Sequence, residues 1–504
     1  MENEVAQVAR GSAYLLAMEL AMNIISIAAF MFVVNFLAVE EMGIYTVMWM
    51  VIAIANLLPS LISAITKFIS QTVGAGGDPR PVLTSILLGK TLMGSAIGLS
   101  CTALSAQLSL LLLRTPDYAF VFQLLGIDII FRILRGSLSS CLLGLNRPRD
   151  VSITGTVGEI IRQALVISFL WMGYGLYGLL LAWLLGDALA CIYPAAVLIS
   201  TRAIVRVPLG EAKRILSGII RFSVPIFITN LVGFASGWFD KIIVLGSGNL
   251  GGLGVYNVAL TAYSLLMAIP RSVGMAISPY YGEKFGGGKH EDTKSMTRLA
   301  SKYLALLFIP ASLGLAALSR MALGLLGEAY AQNYEILMLV AVLGVSNVIP
   351  PLLTRYLIVY ERMRSYTVVR VGSVAAGIAL TLVLMPGFGL LGVALAKSFS
   401  GVLLAALCVL ATRNDIRLDW NSFVKCLAAS SFMAIVVYAV QVLMDNIYLL
   451  PAYVLLGVII YVLAIRTLEV LSPDDVRALI SVLPKRVRDV TLRLGLLLLT
   501  KERD

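Results

Sequence analysis

The chain has 504 residues, of which 59% are hydrophobic and only 13% charged, about half the charged share of a soluble domain. A soluble globular chain is thereby excluded and an integral membrane protein is predicted. Lys and Arg outnumber Asp and Glu by 39 to 28, a net charge of +11; positive-inside loops and a basic tail account for it without any nucleic-acid partner.

The apolar stretches run roughly 20 to 28 residues, the length an α-helix needs to cross about 30 Å of hydrocarbon, not the alternating ten-residue strands of a barrel. The fold class expected is an all-α polytopic membrane protein with about 14 transmembrane helices. Span one (12–37) holds Glu19 and, four residues on, Asn23; its Met1-Glu2-Asn3-Glu4 start lacks a basic n-region, so it reads as a retained span. Span two (44–73) contains Pro59, and span three (83–113) contains Lys90. Span four (118–142) carries Asp128, Arg132 and Arg135, and span five (151–172) carries Glu159 and Arg162. Asp187 lies in span six (176–199) and Pro225 early in span seven (216–239). Span eight (253–282) holds Pro270 followed by Arg271. After span nine (296–319), Arg355 falls in span ten (332–358), Arg370 in span eleven (366–386) and Lys397 in span twelve (389–411). Spans thirteen (423–444) and fourteen (448–467) follow. Beyond them Ser472-Pro473-Asp474-Asp475 reads as a capped helix start, and Lys485, Arg486, Arg488 and Arg493 alternate with Val and Leu as an amphipathic basic helix on the cytoplasmic leaflet.

Alternate loops are basic: Arg80, Arg147 and Arg149; Arg202, Arg206, Lys213 and Arg214; Lys284, Lys289 and Lys294; Arg362 and Arg364; Arg413 and Arg417. The intervening loops hold little beyond Arg114, Lys241 and Arg320, and one carries Glu40 and Glu41. The basic loops are expected in the cytoplasm, which places both termini there and the protein in the cell membrane.

An internal repeat organises these spans. Met42-Gly43-Ile44-Tyr45 returns as Leu253-Gly254-Val255-Tyr256, Pro59 as Pro270, and Gly76-Gly77 as Gly287-Gly288, while Gly173-Tyr174-Gly175-Leu176-Tyr177-Gly178 returns as Gly387-Phe388-Gly389-Leu390-Leu391-Gly392. Each copy contains an even number of spans, so both insert in the same orientation as parallel-repeat lobes with a substrate path between them. The expected division is a first six-helix lobe at 1–205, a second at 206–415, helices 13 and 14 at 416–470 and a cytoplasmic tail at 471–504.

This six-plus-six-plus-two layout, the Gly-x-Gly-x-x-Gly turn joining spans five and six, the segment Gly144-Leu145-Asn146-Arg147-Pro148 and the pattern Gly158-Glu159-x-x-Arg162 carry a resemblance. The chain resembles the multidrug/oligosaccharidyl-lipid/polysaccharide exporter superfamily and, within it, the lipid-linked oligosaccharide flippases of polysaccharide biosynthesis. The resemblance implies a transporter, not an enzyme, that moves a polyprenyl-phosphate-linked or polyprenyl-diphosphate-linked glycan to the outer leaflet by alternating access. Its partners would be that glycan lipid and the bilayer, with H⁺ or Na⁺ as candidate coupling ions.

Such a cargo needs a water-filled cavity with cations for its phosphate, and Arg suits phosphate because its planar fork binds two oxygens. Ionisable residues at membrane depth are costly and so mark the place to look. Arg271, Lys397, Arg132 and Arg162 are the candidate substrate-binding residues; Arg271 and Lys397 have no acid within helical reach in their own spans. Glu19, Asn23, Asp128, Glu159 and Asp187 are the candidate ion-coupling residues, Glu19 because it resembles the first-helix acid of multidrug and toxic-compound extrusion relatives. A structural role competes with each: Asp128 with Arg132 and Glu159 with Arg162 sit at spacings that let them neutralise one another, and Arg135, Arg355, Arg370 and Lys90 can snorkel to the cytoplasmic surface. Pro59 and Pro270 are candidate gating kinks.

No catalytic residue, metal site or cofactor is expected. Gly286-Gly287-Gly288-Lys289 is followed by His290 and lacks phosphate-loop spacing, and the five cysteines are scattered through apolar spans. Two other functions compete with flipping. A cation-coupled multidrug exporter of the same superfamily would want an acidic, aromatic cavity. A membrane glycosyltransferase or polymerase would want a long outside loop with paired carboxylates.

Overall fold

The computed structural model describes residues 2–62, 65–473 and 475. The predicted basic helix from Lys485 to Arg493 lies outside the described residues. Among the described residues the fold is all-α, without a strand, as expected where hydrocarbon offers backbone groups no partner but the chain itself. In chain order the helices are α1 (Glu2–Phe36), α2 (Val39–Ala55), α3 (Ile65–Gly74), α4 (Arg80–Ala103), α5 (Ser105–Leu113), α6 (Ala119–Gly144), α7 (Pro148–Trp171), α8 (Gly175–Ser200), α9 (Leu209–Gly246) and α10 (Leu250–Leu266). They continue as α11 (Ala268–Gly286), α12 (His290–Ala317), α13 (Ser319–Gly324), α14 (Glu328–Ala331), α15 (Tyr334–Leu343), α16 (Pro350–Val359), α17 (Met363–Thr412), α18 (Trp420–Met444) and α19 (Leu450–Thr467).

The chain falls into two compact units, Met1–Gly254 and Val255–Asp504. In the first, α4 packs on α6, α6 on α8, α8 on α7 and α7 on α1. In the second, α12 packs on α18, α18 on α19, α11 on α16 and α15 on α17.

By length and apolar composition the described residues contain ten helices able to cross a membrane, or eleven if the bent pair α10 and α11 is one span. That is fewer than the fourteen read from sequence, and with the bent pair counted as one span three places account for the difference. α1 has a shorter apolar stretch, Ala21–Phe36; α6 carries Asp128, Arg132 and Arg135; and α17 is two helices merged across a kink at Gly389, where φ is 56° and ψ −136°.

Several predicted spans are also broken within. The second is interrupted by a 3-10 turn at Leu58–Ile62 that contains buried Pro59, because proline cannot supply the N–H that an α-helix needs there. Its repeat partner Pro270 sits in the first turn of α11, just after a 44° bend from α10. The third breaks at Leu104 and the tenth at Gly344–Val348, ahead of Pro350.

The repeat glycines explain themselves geometrically. Gly175 and Gly389, equivalent in the two turns, have φ of 53° and 56°, a left-handed conformation that glycine adopts without strain. In the first unit, α2 and the first turn of α10 cross at Gly43 and Gly254. A Cβ on Gly43 would lie 2.1 Å from the Leu250 carbonyl oxygen, and one on Gly254 would lie 2.4 Å from the Val39 carbonyl oxygen. Val39 precedes Gly43 by one helical turn and Leu250 precedes Gly254 by one turn, so the crossing is reciprocal. Small residues that let helix backbones touch are how membrane helices pack closely.

Candidate functional site

Three helices of the first unit gather six ionisable side chains. Asp128, Arg132 and Arg135 come from α6, Glu159 and Arg162 from α7, and Asp187 from α8. Asp128 and Asp187 are wholly buried and Glu159 is 1% exposed, so each needs a countercharge close by. Arg132 Nη2 lies 3.0 Å from Asp128 Oδ2 and 3.0 Å from Asp187 Oδ2, and Arg135 Nη1 lies 3.0 Å from Asp187 Oδ1. Arg162 Nη2 donates to both Glu159 oxygens at 2.7 and 2.6 Å. Glu159 Oε1 accepts further bonds from Gln163 Nε2 at 2.6 Å and Ser26 Oγ at 3.0 Å, the latter from α1.

Close helix packing supports this geometry. A Cβ on Gly186 would lie 2.8 Å from Arg162 Cα, so α7 and α8 touch one residue away from Asp187. Three carboxylates and three guanidiniums then balance in charge. Two polar atoms stay unmatched, Asp128 Oδ1 and Arg162 Nε, and the Asp187 oxygens meet their guanidiniums outside hydrogen-bond geometry.

Beside the network is a cavity of about 200 Å³ whose wall includes Tyr45, Trp49, Trp183, Phe30, Arg162 and Gln163. Trp49 and Trp183 meet edge to face at 5.1 Å, and Tyr45 is 5.7 Å from Trp183. The Arg132 guanidinium lies 5.3 Å from the Trp49 ring and 5.5 Å from the Trp183 ring, within cation–π range. Of the expected site residues, Arg132 and Arg162 are thus held by carboxylates of their own unit, and only Arg162 lines this cavity. Glu19 and Asn23 are exposed on α1.

In the second unit Arg271 is exposed in the first turn of α11, beside buried Pro270, and makes no ion pair with any described residue. Lys397 is half-buried in the part of α17 that follows the Gly389 kink; Arg355 is exposed and Arg370 half-buried. Among the described residues no group of three or more His, Cys, Asp or Glu is arranged to hold a metal ion. The five cysteines are buried and free.

A family model described as polysaccharide biosynthesis protein matches residues 8–285, more than half of the chain. The chain belongs to this family. No curated protein matches its sequence, but solved structures share its fold. One is a lipid II flippase, MurJ, in an inward closed conformation, 16% identical, covering 89% of this chain and 98% of its own with a TM-score of 0.72. Another is an inward-facing multidrug resistance transporter of the MATE family in the MOP superfamily, 14% identical, covering 78% and 94% with a TM-score of 0.63. A third is a MOP superfamily transporter from Pyrococcus furiosus, 16% identical, covering 81% and 95% with a TM-score of 0.59. At these identities the likeness establishes the fold, that of a multi-pass membrane protein.

In this polysaccharide biosynthesis family member the sequence reading missed Ser26, Gln163 and the aromatic wall. Gln163 lies four residues from Glu159, a spacing that signals a shared face, and Trp49 and Trp183 are two of only five tryptophans. Arg135, read as able to snorkel to the cytoplasmic surface, instead pairs with Asp187.

Proposed function

We propose that the protein translocates a polyprenyl-phosphate-linked or polyprenyl-diphosphate-linked oligosaccharide across the cell membrane by alternating access, supplying cell-surface polysaccharide synthesis. The observation that carries this reading is the balance of intramembrane charge. Asp128, Glu159 and Asp187 of the first unit are matched by Arg132, Arg135 and Arg162, so this network holds no surplus negative charge to attract a cationic drug. The candidates of the second unit are bases, with Arg271 exposed and outside any ion pair with a described residue. An exposed guanidinium at a kinked span suits a phosphate. Family membership and the fold shared with a lipid II flippase support the same reading. The solved MOP superfamily transporter from Pyrococcus furiosus is described as having a binding pocket of reversed polarity that suggests a different function.

In this scheme Arg271 and Lys397 contact the phosphate, Pro59 and Pro270 mark where the spans flex, and both termini are cytoplasmic. Glu19 with Asn23, and the Asp128, Glu159 and Asp187 network, are the places where H⁺ or Na⁺ would couple. The lobes are those of the repeat, 1–205 and 206–415, followed by helices 13 and 14.

A second reading, a cation-coupled multidrug exporter, is favoured by the aromatic cavity around Trp49 and Trp183 and by the MATE-family fold match. Ligand stabilisation separates the two. A polyprenyl-diphosphate oligosaccharide should raise the unfolding temperature of the purified protein, and Arg271→Ala should reduce that rise. A rise with lipophilic cations and none with the glycan lipid would favour the exporter.

A further inference from the structure

A second polar pocket, of about 90 Å³, lies in the second unit where α12 ends, α15 begins and α18 ends. Its polar wall is Ser319, Arg320, Tyr334, Tyr438, Gln441 and Asp445. Three features of this wall are unusual together. Gln441 is only 4% exposed, yet its Oε1 has no hydrogen-bond partner. Arg320 and Asp445 line the same small space without an ion pair to each other or to any other described residue. Two tyrosines, Tyr334 and Tyr438, flank the charges.

The surroundings say what kind of molecule could reach it. Asp445 is the C-cap of α18, and the neighbouring Leu443 and Tyr448 are 84% and 89% exposed. Apolar side chains left outward beside the end of a span face lipid, and an exposed tyrosine there suits the headgroup level. The pocket therefore opens where lipid headgroups lie.

We propose that this pocket binds the headgroup of a zwitterionic aminophospholipid, with the ammonium against Asp445 and the Gln441 amide oxygen and the phosphodiester against Arg320. The C-termini of α12 and α18 end here and favour the ammonium, while the N-terminus of α15, which begins at Tyr334, favours the phosphodiester. Tyr334 and Tyr438 in the wall are rings of the kind that attract a cation. Gln441 Oε1 needs a donor, which a primary ammonium supplies and a quaternary one does not. An anionic headgroup would satisfy Arg320 and leave Asp445 and Gln441 unmatched. The volume holds about three waters' worth of liquid, enough for an aminoethyl group and too little for a sugar chain, so this site is separate from any glycan cargo.

The test is native mass spectrometry of the full-length protein equilibrated with equal amounts of dioleoyl phosphatidylethanolamine, phosphatidylcholine and phosphatidylglycerol. The expected result is retention of phosphatidylethanolamine about tenfold over the other two, the scale of one hydrogen bond to a charged group. Asp445→Asn and Gln441→Leu should each remove the preference, whereas Asp419→Asn, at the other end of α18, should leave it. Matching unfolding temperatures among the variants would exclude misfolding as the cause. Equal retention of the three lipids, a preference for phosphatidylglycerol, or a preference that survives Asp445→Asn would each overturn the proposal. So would an Asp445-dependent stabilisation by soluble glycerophosphoethanolamine without selective lipid retention, which would make the ligand a free zwitterion.

Discussion

Replacing Asp187 with Asn removes the one carboxylate that contacts two guanidiniums of α6. The side chain is wholly buried, and its oxygens lie 3.0 Å from Arg132 Nη2 and 3.0 Å from Arg135 Nη1. Arg132 keeps Asp128 at 3.0 Å, but Arg135 has no other ion pair among the described residues. Removing one partner of a buried pair costs about 3–5 kcal/mol because a charge is left uncompensated. Asp187→Asn should destabilise by that amount, and adding Arg135→Gln should recover about 1–3 kcal/mol, the coupling expected of directly contacting groups. The protein carries its own probe, since all five cysteines are buried and free and Cys191 lies one turn from Asp187. Denaturant unfolding in detergent, followed by reaction of these thiols with a fluorogenic maleimide, reports the loss of burial. If Asp187→Asn unfolds within about 1 kcal/mol of wild type, or if the double variant is simply additive, the network does not hold these helices as described.

Gly43→Ala and Gly254→Ala should each destabilise by about 1–3 kcal/mol in the same assay, the usual cost of overpacking, and by similar amounts because the crossing they form is reciprocal. Arg271→Ala should weaken binding of the polyprenyl-diphosphate glycan by about 10- to 100-fold, the worth of a charged hydrogen bond, without moving the unfolding temperature of the unliganded protein. Asp475, just past the last span, accepts from Lys302 Nζ at 2.5 Å and forms a reciprocal cap with Ser472 at 2.9 and 3.2 Å. Burial works against its ionisation, but the Lys302 and Ser472 contacts outweigh it and hold its carboxyl below the usual range. Its stabilising contribution is therefore full above about pH 4 and lost as pH falls through the lowered folded value. The gap in unfolding temperature between wild type and Asp475→Asn should hold from pH 7 to about pH 4 and narrow as pH falls further, and a gap independent of pH would contradict this.

The membrane class and the repeat were legible because they are written in composition and in glycines. Gly175 and Gly389 both adopt the left-handed turn that their shared motif signals. The pairings of Arg132 with Asp128 and of Arg162 with Glu159 were legible as spacings within one helix. What could not be read was anything that depends on which helices neighbour one another. Asp187 on α8 reaches two arginines of α6, and Ser26 on α1 reaches Glu159 on α7, and neither contact has a sequence period. Arg135 was misread for the same reason: its distance from the membrane surface was apparent, its partner was not. Breaks in the spans divide likewise. Pro59 announces its break by removing a backbone donor, whereas the break at Leu104 carries no such residue.

Glycan-lipid translocation can be followed in reconstituted vesicles. Proteoliposomes would be loaded symmetrically with a fluorescent polyprenyl-diphosphate oligosaccharide, and a membrane-impermeant quencher would report how fast inner-leaflet molecules reach the outer leaflet. A flippase should give rapid, protein-dependent exchange of the glycan lipid that Arg271→Ala slows, with no uptake of lipophilic cations into the same vesicles. Exchange no faster than in protein-free vesicles, alongside transport of lipophilic cations, would contradict it.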